Sequence, residues 1–165
     1  MNPIRWGILG VAKINERIVP AFRETRFSVL HGIASRSWEK AQAAAAADRI
    51  PKAYGCYDDL LQDPEIDAVY IPLPNHLHAE WTLKAARCGK HVLCEKPLCP
   101  TADEARRLVD ACQSLGVRLM DGFMWPHHPR TPKIRDFLDN GGLGEIHHVH
   151  ASFTFELPLD DRNIR

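Results

Sequence analysis

Short apolar or β-branched runs alternate along this chain with longer stretches whose apolar positions recur at helical spacing. That is the pattern of parallel strands joined by crossover helices. It predicts strands over residues 4–9, 29–34, 68–71, 91–94 and 118–121, and helices over 12–22, 37–47, 58–62, 76–88, 101–115 and 131–140. Asn75 stands where it would cap the helix from His76, Thr101 with Glu104 forms a capping box, and Gly89 and Gly116 fall just past helix ends. The expectation is an α/β protein with a doubly wound parallel sheet. The alanine tract at 43–47 reads as helix packed on that sheet rather than as a linker, alanine being the best helix former.

After Gly141-Gly142-Leu143-Gly144 the periodicity becomes two. Val149, Ala151, Phe153 and Phe155 point one way, His148, His150, Ser152, Thr154 and Glu156 the other. Such a strand belongs in an antiparallel sheet with one buried face, and a lone strand is marginal in water. A partner chain or further residues are expected to cover the phenylalanines. The expected division is a dinucleotide-binding domain over 1–122, then a connecting helix and the first strand of an incomplete second domain over 123–165.

Composition narrows the function classes. A chain of 165 residues with 45% hydrophobic content suits a packed globule. Its 21 basic and 21 acidic side chains cancel, which removes the footprint that nucleic-acid or anionic-membrane binding needs. No apolar run approaches the roughly 20 residues of a membrane span, and no signal-peptide pattern opens the chain. A cytoplasmic protein acting on small molecules is expected. The five cysteines contain no C-x-x-C pair, so neither a disulfide framework nor a zinc ribbon is indicated.

Candidate chemistry lies where strands end. A strand, a glycine turn and a helix start make an anion site, because free N–H groups and the helix dipole point at the ligand. The turn here is Gly10-Val11-Ala12-Lys13-Ile14-Asn15. Only the first glycine of the G-x-G-x-x-G fingerprint is kept, so a turn that binds nothing is an equal alternative on this motif alone. Ala12 is tolerable if its φ is negative, and Asn15 would hold the helix slightly farther from the strand. The second strand ends Ala34-Ser35-Arg36-Ser37, with no acidic residue for a ribose 2′-hydroxyl. Arg36 would pair with a 2′-phosphate and Ser35 would donate to it, which favours NADP, with NAD possible. An ordinary solvated helix start at Arg36 and Lys40 is the alternative. In Pro72-Leu73-Pro74-Asn75-His76-Leu77-His78, Leu73 is a candidate cofactor contact, and Asn75 and His78 would address ribose or nicotinamide. No third ligand accompanies this His-x-His pair, nor His127-His128 or His147-His148-Val149-His150, so no metal is expected. Glu95-Lys96-Pro97 places a lysine where a buried strand ends, a catalytic candidate.

Taken in order, Gly10-x-Ala12, Ala34-Ser35-Arg36, Pro74-Asn75-His76-x-His78, Ala85 with Gly89-Lys90-His91-Val92, and above all Glu95-Lys96-Pro97 resemble the N-terminal half of the Gfo/Idh/MocA oxidoreductases. Gly122-Phe123-Met124-Trp125 with His127-His128-Pro129 is similar to the branch containing dihydrodiol and xylose dehydrogenases, although that branch usually has arginine where Pro126 stands here. The resemblance implies a Rossmann domain carrying NAD(P), followed by an α/β domain that supplies the substrate face and commonly the oligomer interface. It implies that Lys96 sits between nicotinamide and substrate and polarises the reacting oxygen, and that Glu95 and a cis Pro97 fix the turn. The family's acid/base histidine would lie beyond Arg165, and residues 161–165 resemble the segment leading to it. The chain thus reads as a fragment of an oxidoreductase acting on the CH–OH of a sugar, polyol or diol. As partners, a homo-oligomer or the missing C-terminal half is expected. The alternative is a catalytically inactive relative that binds nucleotide or pairs with another chain. A transferase fails for want of a nucleophile elbow or a phosphate loop of the G-x-x-x-x-G-K type.

Overall fold

The computed structural model describes residues 2–154. The expectations for Phe155, Glu156 and residues 161–165 lie outside the described residues. Strands β1 (Ile4–Leu9), β2 (Ser28–Ala34), β3 (Lys52–Tyr54), β4 (Ala68–Ile71), β5 (His91–Cys94) and β6 (Leu119–Asp121) form one sheet in the order β3-β2-β1-β4-β5-β6. Every pairing is parallel. Helices α1 (Asn15–Glu24), α2 (Trp38–Ala47), α3 (Tyr57–Gln62), α4 (His78–Arg87) and α5 (Ala102–Ser114) make the crossovers. The strand order turns back between β1 and β4, the switch point at whose carboxyl side such sheets bind ligands. The doubly wound sheet is as the apolar pattern predicts.

Both faces of the sheet are covered, which is why its central strands read as continuous apolar runs. Leu9, Val69, Ile71, Val92 and Cys94 face one way, onto Leu60 and Leu61 of α3 and Ala85 of α4. Ile8, Ile33 and Tyr70 face the other, onto Val19 of α1 and Ala45 of α2. Thr101 Oγ1 accepts from the Glu104 N–H at 3.3 Å, and Gly89 and Gly116 take φ of 72° and 71° just past helix ends. Lys90 is buried, and its ammonium donates to the carbonyls of Asp63 and Ile66 at 2.7 Å each. It thereby satisfies backbone acceptors between α3 and β4, the Ile66 carbonyl in a buried bond; burial lowers its pKa.

The structure departs from sequence expectation at several places. The three-residue edge strand β3 carries no apolar run and was not foreseen. Helix α1 begins at Asn15 rather than residue 12, because 11–14 form a separate turn. Asn75 does not cap: it lies in a 3-10 turn, Asn75–Leu77, and α4 starts at His78 with no side-chain cap.

The chain divides into compact units Met1–Gly122 and Phe123–Arg165. In the second, the 3-10 turn Trp125–His127 precedes helix α6 (Arg130–Asp139), and Thr131 Oγ1 donates to the Trp125 carbonyl at 2.7 Å. The strand expected over 148–156 is not formed where it is described: residues 148–154 join no ladder, since the described residues contain no partner strand for them. Among the described residues no helix is long and apolar enough to cross a membrane.

Candidate cofactor site and active site

Gly10 ends β1 and donates its N–H to the Ala34 carbonyl at 2.9 Å, joining the ends of β1 and β2. Its φ is +122°, and a Cβ there would stand 3.0 Å from Leu73 Cδ2. Only glycine fits without strain. Beyond it, the N–H groups of Val11, Ala12, Lys13 and Ile14 find no acceptor among the described residues. Four consecutive amides thus stand free at the start of α1, where the helix dipole favours an anion. Ala12 takes no positive φ, so its methyl is accommodated. Asn15 fills the third fingerprint position as a tether. It is buried, and its Nδ2 donates to the Gly10 carbonyl at 2.9 Å, tying α1 to the strand end. The Asn15 Oδ1 atom is buried without a partner.

At the end of β2, Ser35 is buried and its Oγ accepts from the Ser37 N–H at 3.2 Å, which leaves its hydroxyl hydrogen to donate elsewhere. Ser37 Oγ caps α2 by accepting from the Lys40 N–H at 3.3 Å. Arg36 is exposed, and among the described residues no carboxylate pairs with it. Its guanidinium lies by the Tyr57 hydroxyl, whose pKa burial pushes up while Arg36 pulls it down. Tyr57, in the first turn of α3, stands edge-on to Trp81 with ring centroids 4.8 Å apart and brings its hydroxyl within 3.9 Å of the Cβ position at Gly10. No local signal marked this tyrosine, since only the packing of α3 and α4 carries it to the crevice.

Leu73 supplies the apolar floor under Gly10. Asn75 is half-buried beside it. His78 is fully buried, with Nε2 2.7 Å from the Leu73 carbonyl oxygen and Nδ1 2.8 Å from that of Pro97. Both nitrogens are engaged by backbone, so the expected contact of His78 with ribose or nicotinamide does not fit this geometry. The ring instead joins two loops of the site.

Past β5, Glu95 extends the ladder by donating its N–H to the Ile71 carbonyl at 3.1 Å. Its Oε1 accepts from Tyr70 at 2.9 Å and its Oε2 from the Lys96 N–H at 3.3 Å. The Lys96-Pro97 bond is cis. Lys96 is exposed, and its ammonium meets no acceptor among the described residues. Beneath, burial pushes the Cys94 thiol up to about 12, so it is no nucleophile at neutral pH. Gly10, Ala12, Lys13, Ile14, Ser35, Arg36 and Leu73 therefore gather at the carboxyl ends of β1, β2 and β4, with Glu95 and Lys96 at that of β5.

At the amino-terminal side of the sheet, His31, Asp63 and Glu65 bring ligand atoms within 4.8 Å of one another. The cation there is already a side chain. Lys52 Nζ donates to Asp63 at 2.7 Å and to Glu65, and the Tyr54 hydroxyl donates to Asp63. Burial tends to raise the Asp63 carboxyl, but these hydrogen bonds outweigh it and hold the group well below the usual carboxylate range.

The chain matches, over residues 4–123, the model of an oxidoreductase family described by its NAD-binding Rossmann fold. It is 45% identical over 163 residues to a D-xylose 1-dehydrogenase (NADP(+)) of Haloferax volcanii, covering 97% of this chain and 49% of that protein. It is 42% identical over 159 residues to the dTDP-3,4-didehydro-2,6-dideoxy-alpha-D-glucose 3-reductase of Actinomadura kijaniata, covering 93% and 46%. The crystal structure of KijD10, a 3-ketoreductase from Actinomadura kijaniata in complex with NADP, superposes with a TM-score of 0.79 at 42% identity over 87% of this chain and 46% of that one. The chain spans about half the length of the curated relatives it matches. Covering residues 4–123, this match shows that the chain belongs to the Gfo/Idh/MocA oxidoreductase family.

Proposed function

We propose that this chain is the cofactor-binding half of a cytoplasmic, NADP-dependent oxidoreductase acting on the CH–OH of a sugar, polyol or diol. What supports it most is the pairing of four free backbone amides at 11–14 with an Arg36 that no carboxylate neutralises among the described residues. A pyrophosphate satisfies the amides. A 2′-phosphate supplies the missing anion for Arg36, with the Ser35 hydroxyl as second donor. Gly10 keeps the backbone low enough for phosphates to approach, and Leu73 closes the floor. The nicotinamide, when bound, supplies hydride exchange. Lys96 is the catalytic residue of this reading: an ammonium free of protein partners, at the strand end beside the switch point, orients and polarises the reacting hydroxyl or carbonyl oxygen. Glu95 fixes the peptide from which Lys96 springs. The xylose dehydrogenase and the dTDP-sugar reductase among the relatives favour a sugar substrate. The five free cysteines suit a reducing compartment, and 123–165 opens a second α/β domain whose remainder, or a second copy, covers its apolar side chains.

Calorimetric titration of the chain with NADPH and NADH tests this. NADPH should bind more tightly. Arg36→Ala should weaken NADPH by about 1.5–3 kcal/mol, roughly ten- to a hundredfold, and NADH little. Equal losses for both cofactors would remove the 2′-phosphate assignment, and failure of the folded chain to bind either would remove the cofactor reading.

A further inference from the structure

We infer that Tyr70 is a positioning residue for the nicotinamide end of the cofactor site: its buried hydroxyl, with the bare backbone of Gly122 opposite, locks the Glu95 carboxylate and through it the turn carrying Lys96. This rests on the NADP reading above.

Tyr70 lies in the middle of the sheet, fully buried, in register with Ile8 of β1 and Leu93 of β5. Its ring packs with Ile8, Val19 and Ile33, work that a phenylalanine would do equally well. The hydroxyl is the one feature that packing does not explain, and a buried hydroxyl needs a partner. Side chains alternate along β5, so Leu93 and Glu95 share the Tyr70 face, and the hydroxyl reaches two residues onward to Glu95 Oε1 at 2.9 Å. Burial drives the Tyr70 pKa far upward, so the hydroxyl keeps its proton and donates throughout the working range.

Gly122 closes the opposite side. Its N–H donates to the Cys94 carbonyl at 2.6 Å, and a Cβ on it would stand 3.0 Å from Glu95 Oε1, 3.2 Å from Cδ and 3.3 Å from Cα. Its φ lies outside the left-handed region, so space rather than backbone conformation calls for glycine. The second carboxylate oxygen accepts from the Lys96 N–H at 3.3 Å, which couples the locked carboxylate to the peptide bearing the catalytic lysine.

Tyr70→Phe should weaken NADPH about three- to tenfold, less than the full value of a hydrogen bond to a charged group because the lost bond is internal to the protein and reaches the ligand only through the turn, while leaving 2′-phospho-ADP-ribose, which lacks nicotinamide, at wild-type affinity. Gly122→Ala, acting from the other side, should show the same selective loss. If Tyr70→Phe does not fold, Glu95→Ala removes the acceptor of the same bond and is read against the same two ligands. Equal weakening of both ligands, or of neither, overturns the inference and leaves the NADP assignment standing. A wild-type chain that binds neither ligand overturns the NADP assignment and the inference with it.

Discussion

Replacing Gly10 by alanine sets backbone strain against the anion turn that depends on it. At φ +122° an alanine occupies a region nearly reserved for glycine, at a cost of about 1–3 kcal/mol. The added Cβ meets Leu73 Cδ2 at 3.0 Å, and moving that packed side chain off its rotamer adds about 0.5–1.5 kcal/mol. Alanine's poorer unfolded ensemble returns roughly 0.4–1 kcal/mol. The net expectation is a loss of about 0.5–4 kcal/mol, with roughly 2–4 °C in Tm for each kcal/mol in a chain of this size. Urea unfolding followed by circular dichroism measures it, with an unchanged m-value showing that stability changes and the surface exposed on unfolding does not. In a Leu73→Ala background the steric part should vanish and the backbone part persist. Gly10→Ala within about 0.5 kcal/mol of wild type, or full relief by Leu73→Ala, would show that the turn does not need glycine's conformation.

In the protein assayed with its substrate, Lys96→Ala, which keeps the peptide that Glu95 holds, should lower turnover by orders of magnitude with cofactor affinity nearly intact; equal turnover removes Lys96 from the mechanism. Lys52→Met should destabilise the fold at pH 7 by stranding Asp63. Because the native Asp63 pKa is depressed, the stability it carries is full above the unfolded value of about 3.9 and is lost as pH falls through the acid range. The stability gap between wild type and Lys52→Met should therefore narrow on acidification, and a gap constant from pH 7 to 3 would refute the linkage. Maleimide labelling of the native chain should spare buried Cys94 and Cys112 and reach the half-buried Cys56, Cys88 and Cys99 first. Mass spectrometry of the labelled peptides reads the order, and early modification of Cys94 would contradict its burial.

The central strands are legible because both sheet faces are buried: β4 is an uninterrupted apolar run, β1 and β5 are apolar apart from Arg5 and His91 near their amino-terminal ends, and the bounds of all three follow from sequence. Edge strand β3 was not, since Lys52, Ala53 and Tyr54 are only half-buried and their pairing with β2 is set by tertiary contact. The start of α1 was misplaced for a reason that bears on function, because the residues that look helical from 12 are those whose amides stay unbonded. The alternation over 148–154 was legible as a pattern, but the described residues hold no ladder to realise it. The strand-end positions of Arg36 and Lys96 can be read from the chain. The roles of Tyr57, Tyr70 and His78 could not, because each depends on where a side-chain tip arrives after helices and strands pack.

The buried ring of His78 spans the carbonyls of Leu73 and Pro97 and so makes one mechanical part of two loops that the sequence separates by a whole helix and strand. Neither loop can change length alone without breaking a contact that solvent cannot replace. An effort to retune this scaffold by loop grafting should transplant residues 72–98 as a single block, and insertions placed inside that block should fail where insertions at the exposed stretch 139–145 succeed.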